Sequence, residues 1–168
     1  MLKYFMPDKI YADVYAIDFD ELIKNNITGL IFDIDNTLVS YKQPEPTAEV
    51  IALMRDLQEK NFKICFVSNN NKARVDLFNH DFKFPAFAEA GKPLKKYMKQ
   101  ALEIMGLSGE CAAVIGDQIF TDVCAAKRVG ASALFVTPVE PVNSLFFKIK
   151  RALEKPILKR YRRLNNDD

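Results

Sequence analysis

Gly29-Leu30-Ile31-Phe32-Asp33-Ile34-Asp35-Asn36-Thr37-Leu38-Val39 carries an apolar strand straight into two aspartates spaced i and i+2. A strand is predicted over residues 29–35, and its period of two aims both carboxylates at one side of the chain. Carboxylates that close repel, so one takes a proton or a cation sits between them. A strand ending in an ordinary polar turn uses the same residue types, since Asp, Asn and Thr all favour turns. A calcium loop is excluded by spacing. It needs Gly at the sixth position and Glu at the twelfth, where this chain has Leu38 and Pro44.

The same pattern recurs outward from this segment. Further strands are predicted over residues 62–67, ending in Ser68-Asn69-Asn70, near 85–88, ahead of Gly91-Lys92-Pro93, over 112–115, running into Gly116-Asp117, and over 132–136. Helices fall between them. Thr47 is placed to cap a helix running to about Lys60, with Val50, Ile51, Met54 and Leu57 on one stripe. Others are expected over 72–79, over 93–105 with Pro93 as its opening residue, and over 121–129, closed by Gly130. Residues 1–28 read as an irregular arm holding one short helix from Asp18, with Glu21 at the capping-box position. Strands alternating with helices imply an α/β protein with a Rossmann-like, doubly wound parallel sheet. A chain of 168 residues suits one domain, with an arm at 1–28 and a tail at 138–168.

Bulk properties exclude several classes. No apolar run approaches the roughly 18 residues of a membrane span, so a cytoplasmic protein is expected. Cys65, Cys111 and Cys124 are odd in number and show no Cys-x-x-Cys or Cys/His pairing, which reads as buried, reduced thiols. The net charge of +2 conceals an asymmetry. Residues 148–168 carry eight basic and three acidic groups, which leaves residues 1–147 net acidic.

In a doubly wound sheet the site lies in the crevice beyond the carboxyl ends of the strands. Asp33, Asp35, Ser68 and Asp117 all fall there, and Asp122 adds a second member to the pair begun by Asp117. Four carboxylates around one crevice call for a hard cation, and a site of few protein ligands plus waters suits Mg²⁺. Zinc is disfavoured, because thiol and imidazole clusters are lacking and the lone His80 sits at a solvated helix end. Ser68, the Asn69 backbone and Lys92 ahead of a helix supply donors and positive charge for phosphoryl oxygens. Together these groups describe a phosphoryl-transfer site.

These residues resemble the four motifs of the haloacid dehalogenase superfamily, in order: Asp33-Ile34-Asp35-Asn36-Thr37, Ser68, Lys92, and Gly116-Asp117 through Asp122. The resemblance implies that Asp33 attacks phosphorus to form an aspartyl-phosphate, and that Asp35 protonates the leaving oxygen and later activates water. It implies that Asp33, the Asp35 backbone carbonyl and Asp117 hold Mg²⁺, with Asp122 bonding nearby. Ser68, Asn69 and Lys92 would hold the phosphoryl group and Thr37 would brace the loop. An aspartate at position 35 is similar to the phosphatases, where related ATPases carry Thr. About eleven residues separate Asp35 from the helix at Thr47, and three separate Ala88 from Lys92, which leaves no room for a cap domain. A capless, open site makes selectivity a matter of the rim, of a neighbouring subunit, or of a surface carrying the substrate.

The opening residues 2–8 and the arm up to Gly29 are similar to the YqeG-type members of subfamily IIIA. Eukaryotic relatives in that group are phosphatidylglycerophosphate phosphatases, so the resemblance implies a glycerophospholipid phosphate. Phe146, Phe147, Ile149, Leu153, Ile157 and Leu158 interleave with Lys148, Lys150, Arg151, Lys155, Lys159, Arg160, Arg162 and Arg163. That is a basic amphipathic face suited to an anionic membrane, and it equally suits a terminal helix packed on the domain. Nucleic acid is disfavoured by the acidic remainder. A soluble sugar, nucleotide or protein phosphate stays open as the substrate. So do an oligomer and a low-activity binding protein that uses the tail to hold RNA or another protein. A receiver-like module would lack a second acid at Asp35 and the Asp117/Asp122 pair.

Overall fold

Lys9–Tyr11 (β1), Gly29–Phe32 (β2), Lys63–Val67 (β3), Ala86–Phe87 (β4), Ala112–Gly116 (β5) and Ser132–Val136 (β6) form one sheet in the order β1-β6-β5-β2-β3-β4. Every pairing is parallel. The computed structural model describes residues 2–142 and 144–165. Asn143 and residues 166–168 of the tail lie outside the described residues, and so does the side chain of Phe146. The helices are α1 (Phe19–Lys24), α2 (Ala48–Glu59), α3 (Lys72–Asn79), α4 (Lys96–Met105), α5 (Cys124–Arg128) and α6 (Leu145–Asn165).

Strand alternation divides the core between the two faces of the sheet. Leu30, Phe32, Ile64, Phe66 and Ile115 pack with Phe19, Leu22, Met54, Leu57 and Phe78 from α1, α2 and α3. Ile31, Cys65, Val67 and Val114 face Met98, Ala101 and Met105 of α4, Ala125 and Ala126 of α5, and Ile157 of α6. Local signals set the helix ends. Asp18 accepts from the Glu21 N–H at 2.8 Å, Thr47 from Val50 N–H at 3.3 Å and Asn71 from Arg74 N–H at 2.9 Å.

Four expectations are corrected. The arm is not wholly irregular, because β1 pairs with β6 and forms an edge of the sheet. β2 ends at Phe32, and the aspartates lie beyond it, although the Asp33 N–H still donates to the Ile115 carbonyl at 2.9 Å. Pro93 does not open α4, which begins three residues later at Lys96; the Lys92–Pro93 peptide is cis. The helix after β5 starts with a wide π turn at Ile119–Val123 before α5 proper. Among the thiols, Cys65 and Cys124 are buried and Cys111 only partly so.

The chain runs outward from β2 through β3 to β4, then returns to lay β5 on the other side of β2. The switch point therefore lies between β2 and β5, where Asp33 and Asp117 emerge side by side. α6 packs on the domain through Glu154, Ile157 and Tyr161, while Leu145, Ile149, Leu153 and Leu164 are exposed. No helix among the described residues is long and apolar enough to cross a membrane.

Candidate active site

The turn after β2 is built on Asn36, which stands at φ +67° in the left-handed region. Asn tolerates that region better than most residues. Its side chain exchanges hydrogen bonds with the Glu140 backbone, donating to the carbonyl and accepting from the N–H, both at 2.9 Å. The segment leading into α6 is thereby fastened to the aspartate turn.

Asp33 is buried against Lys92, whose Nζ lies 2.6 Å from Asp33 Oδ1 and 2.7 Å from Asp122 Oδ1. The Thr37 hydroxyl donates to Asp33 Oδ2 at 3.2 Å and approaches Asp117 Oδ1 at 3.5 Å. Asn69 accepts from the Lys92 N–H at 2.7 Å and donates to its carbonyl at 3.3 Å, so its side chain straps the lysine's backbone. Asp122 folds back so that Oδ2 accepts from the Gln118 N–H at 3.1 Å. Gly116 makes room for this, since a Cβ there would overlap the Asp122 carboxyl group. Ser68 is buried at the end of β3, where its Oγ accepts from the Asn70 N–H at 3.0 Å.

Burial pushes the Asp33 carboxyl up to about 6, with Lys92 opposing the rise and Asp122 adding to it. Burial likewise pushes Asp117 up to about 7, reinforced by Asp33 and Asp122 and opposed by Arg151. Burial pulls the Lys92 ammonium down, but Asp122 and Asp33 outweigh it and hold the group above its ordinary value.

The structure brings all eight residues singled out in the sequence to one end of the sheet. Asp33, Asp35, Ser68, Asn69 and Lys92 line a cavity of about 220 Å³ together with Tyr41, Asn70, Gln118 and Thr121. Asp117, Asp122 and Thr37 stand at its floor through the contacts above. Asp33, Asp117 and Asp122 offer oxygens within 4.8 Å of one another, all buried. A compact set of hard carboxylate donors fits Mg²⁺. The Asp35 carboxylate is not part of that set. It accepts from Asn70 Nδ2 at 2.9 Å and Arg74 Nε at 3.1 Å.

Several residues here are not read from the sequence as part of the site, Arg151 and Phe147 being read only as part of the tail's basic amphipathic face. Arg74 also donates to the carbonyls of Pro44 and Gln43, tying the loop after the aspartate turn to Asp35. From α6, Arg151 pairs with the Asp117 carboxylate and with its carbonyl oxygen, and its Nη1 donates to Glu154 Oε2 at 2.8 Å. Glu154 is fully buried and accepts from the Ile119 N–H at 2.9 Å. Phe147 meets Tyr41 edge to face at 5.8 Å. One signal was available: Glu154 is the lone acid between Lys148 and Arg163.

Residues 41–130 match the haloacid dehalogenase-like hydrolase family. Over 161 residues the chain is 35% identical to "Probable phosphatase YqeG" of Bacillus subtilis, covering 96% of this chain and 94% of that protein. The chain belongs to the haloacid dehalogenase superfamily. Within it the chain is a YqeG-like phosphatase. The fold is shared with more distant structures. The cobalt-bound deoxy-D-mannose-octulosonate 8-phosphate phosphatase of Haemophilus influenzae superposes with a TM-score of 0.56 at 15% identity, over 82% of this chain and 87% of that one. A family enzyme of Bacteroides thetaiotaomicron in complex with magnesium gives 0.54 at 13%, over 72% and 98%. The family match begins after Asp33 and Asp35, and the contacts above join Asp33 to Lys92 and, through that lysine, to Asp122.

Proposed function

We propose that this phosphatase hydrolyses a phosphate monoester through an aspartyl-phosphate on Asp33, with Mg²⁺ held by Asp33, Asp117 and the Asp35 carbonyl and with Asp122 beside it. The observation that carries the reading is Asp33 itself, buried, held by Lys92 and Thr37, and opening onto the cavity beside Asp35. In the first step an Asp33 oxygen forms a bond to phosphorus, the bond to the ester oxygen breaks, and Asp35 delivers a proton to that leaving oxygen. In the second, Asp35 takes a proton from water, the water oxygen attacks phosphorus, and inorganic phosphate leaves Asp33 as a free carboxylate. Lys92, Ser68 and Asn69 hold the transferring oxygens. Arg74 and Asn70 keep the Asp35 carboxyl group at the cavity. The bound cation supplies positive charge against the developing negative charge on the phosphoryl oxygens.

For the substrate, we infer a glycerophospholipid phosphate such as phosphatidylglycerophosphate, presented at an anionic membrane that α6 touches. Supporting this, Leu145, Ile149 and Leu153 repeat every four residues along α6 and are exposed, with Lys148, Lys155 and Lys159 close by in sequence. The cavity is small, so most of a large ester stays outside it. The test compares phosphatidylglycerophosphate in mixed micelles with sugar and nucleotide phosphates, with and without Mg²⁺. Metal-dependent turnover with a lipid preference is expected, and the lack of any preference removes the lipid. Asp33→Asn abolishes turnover with the fold intact; undiminished turnover in that variant means another nucleophile.

A further inference from the structure

α6 brings two adjacent cations onto residues at the cavity, Arg151 onto Asp117 and Lys150 onto Gln118, and surrounds them differently. Arg151 is committed to Asp117 and Glu154. Lys150 is half-buried, and its Nζ hydrogen-bonds the side-chain oxygen of Gln118, a neutral amide that lines the cavity. Among the described residues no carboxylate is ion-paired with it, although Asp122, Glu154 and Asp117 hold part of its field. Burial lowers its affinity for the proton. A half-buried ammonium whose hydrogen bond goes to an amide, with those carboxylates beyond ion-pair distance, is only partly compensated, and an added anion relieves the remaining cost.

The transferring phosphoryl group already has Lys92 and Ser68. The anion that meets Lys150 is therefore a different one, and a cavity of about 220 Å³ leaves the rest of the ester projecting past Gln118. We propose that Lys150 is a specificity-determining residue that binds a second oxyanion, a phosphate or a carboxylate, carried by the leaving group of the ester. This rests on the reading above and deepens it: phosphatidylglycerol is itself an anionic alcohol, and Lys150 is the residue assigned to that second charge. A lysine that merely lays its stem along the surface has no reason to distinguish esters by the charge of their alcohol.

Three esters on one carbon skeleton test it with the full chain and Mg²⁺: glycerol 1,3-bisphosphate, 3-phosphoglycerate and glycerol 3-phosphate. The measured quantity is the ratio of kcat/KM for each anionic ester to that for glycerol 3-phosphate. In Lys150→Met the ratio is expected to fall by about tenfold or more, the scale of one charged hydrogen bond, mainly through KM. Lys150→Arg restores most of it. A fall for the bisphosphate alone assigns the oxyanion as phosphate, and a fall for both assigns oxyanions in general. An unchanged ratio overturns the proposal, whether both activities hold or both drop together. Calorimetric binding of the same compounds to Asp33→Asn, with and without Lys150→Met, reads the preference without turnover, and equal affinities also overturn it. Should the wild-type protein hydrolyse none of these water-soluble esters, the binding comparison alone decides Lys150, and turnover of phosphatidylglycerophosphate in micelles separately decides the proposed reaction.

Discussion

Replacing Glu154 by Ala tests whether α6 is keyed into the domain. Its side chain is 1% exposed and makes two bonds that nothing nearby replaces: Oε1 accepts from the Ile119 N–H at 2.9 Å and Oε2 from Arg151 at 2.8 Å. Truncation leaves the buried N–H without an acceptor, at about 1–3 kcal/mol. It also breaks a buried ion pair, for which about 3–5 kcal/mol is usual. Arg151 is partly exposed and keeps Asp117, so the ion-pair cost falls well below that range. A total of about 3 kcal/mol follows, or a Tm lowered by about 6–12 °C in a chain of this size. Glu154→Gln retains an acceptor for Ile119 and should lose about half as much. Thermal unfolding followed by circular dichroism, with urea titration alongside, measures both variants. An Ala variant within about 0.5 kcal/mol of the parent would refute the reasoning, because surface substitutions fall in that band. α6 would then be an undocked tail.

Other outcomes follow from the same site. Asp33 at about 6 and Asp117 at about 7 are raised above free carboxyl groups. Their contribution to the metal-free fold is therefore full below pH 4 and is lost as pH rises through 6–7. The proposed Mg²⁺ site requires the ionised forms, so the rise in Tm on adding Mg²⁺ should grow from pH 5 to pH 8. An increment that ignores pH contradicts this. Burial pushes the Cys65 thiol up to about 12 and also raises Cys124. A thiol-specific reagent at pH 8 should thus modify Cys111 first, and modification of all three at one rate would be inconsistent with the packing. Arg74→Ala releases the Pro44 and Gln43 carbonyls and leaves Asp35 with Asn70 alone. Trypsin should then cut after Lys42 several-fold faster, with turnover lowered; an unchanged cleavage rate would show that Arg74 does not hold the loop.

The catalytic end of the sheet was legible because its groups obey local rules. Asp33, Asp35, Ser68 and Asp117 each follow an apolar strand, and a strand end in a parallel sheet points at the crevice. Thr47 announced its helix through capping chemistry, which is complete within four residues. Pro93 misled for the converse reason. Its fixed φ suits a first helical turn, but the Asn69 side chain clamps Lys92 beside it, and that contact spans 23 residues. Three-residue β1 could not be found by periodicity, since so few residues carry no period and its partner β6 lies more than a hundred positions away.

By itself the sequence determined the alternation of strands and helices, and the order in which Asp33, Asp35, Ser68, Lys92, Asp117 and Asp122 reach the crevice. Each of these is written in neighbours along the chain. Tertiary structure alone decided that the carboxylate of Asp35 belongs to Arg74 and Asn70 while Asp33, Asp117 and Asp122 gather into one cluster. It alone decided that α6 docks by sending Arg151 to Asp117 and burying Glu154. A basic amphipathic helix has the same pattern whether it lies on lipid or on protein. Only the buried acid at its centre, paired across 35 residues with Ile119, settles which surface its inner face meets.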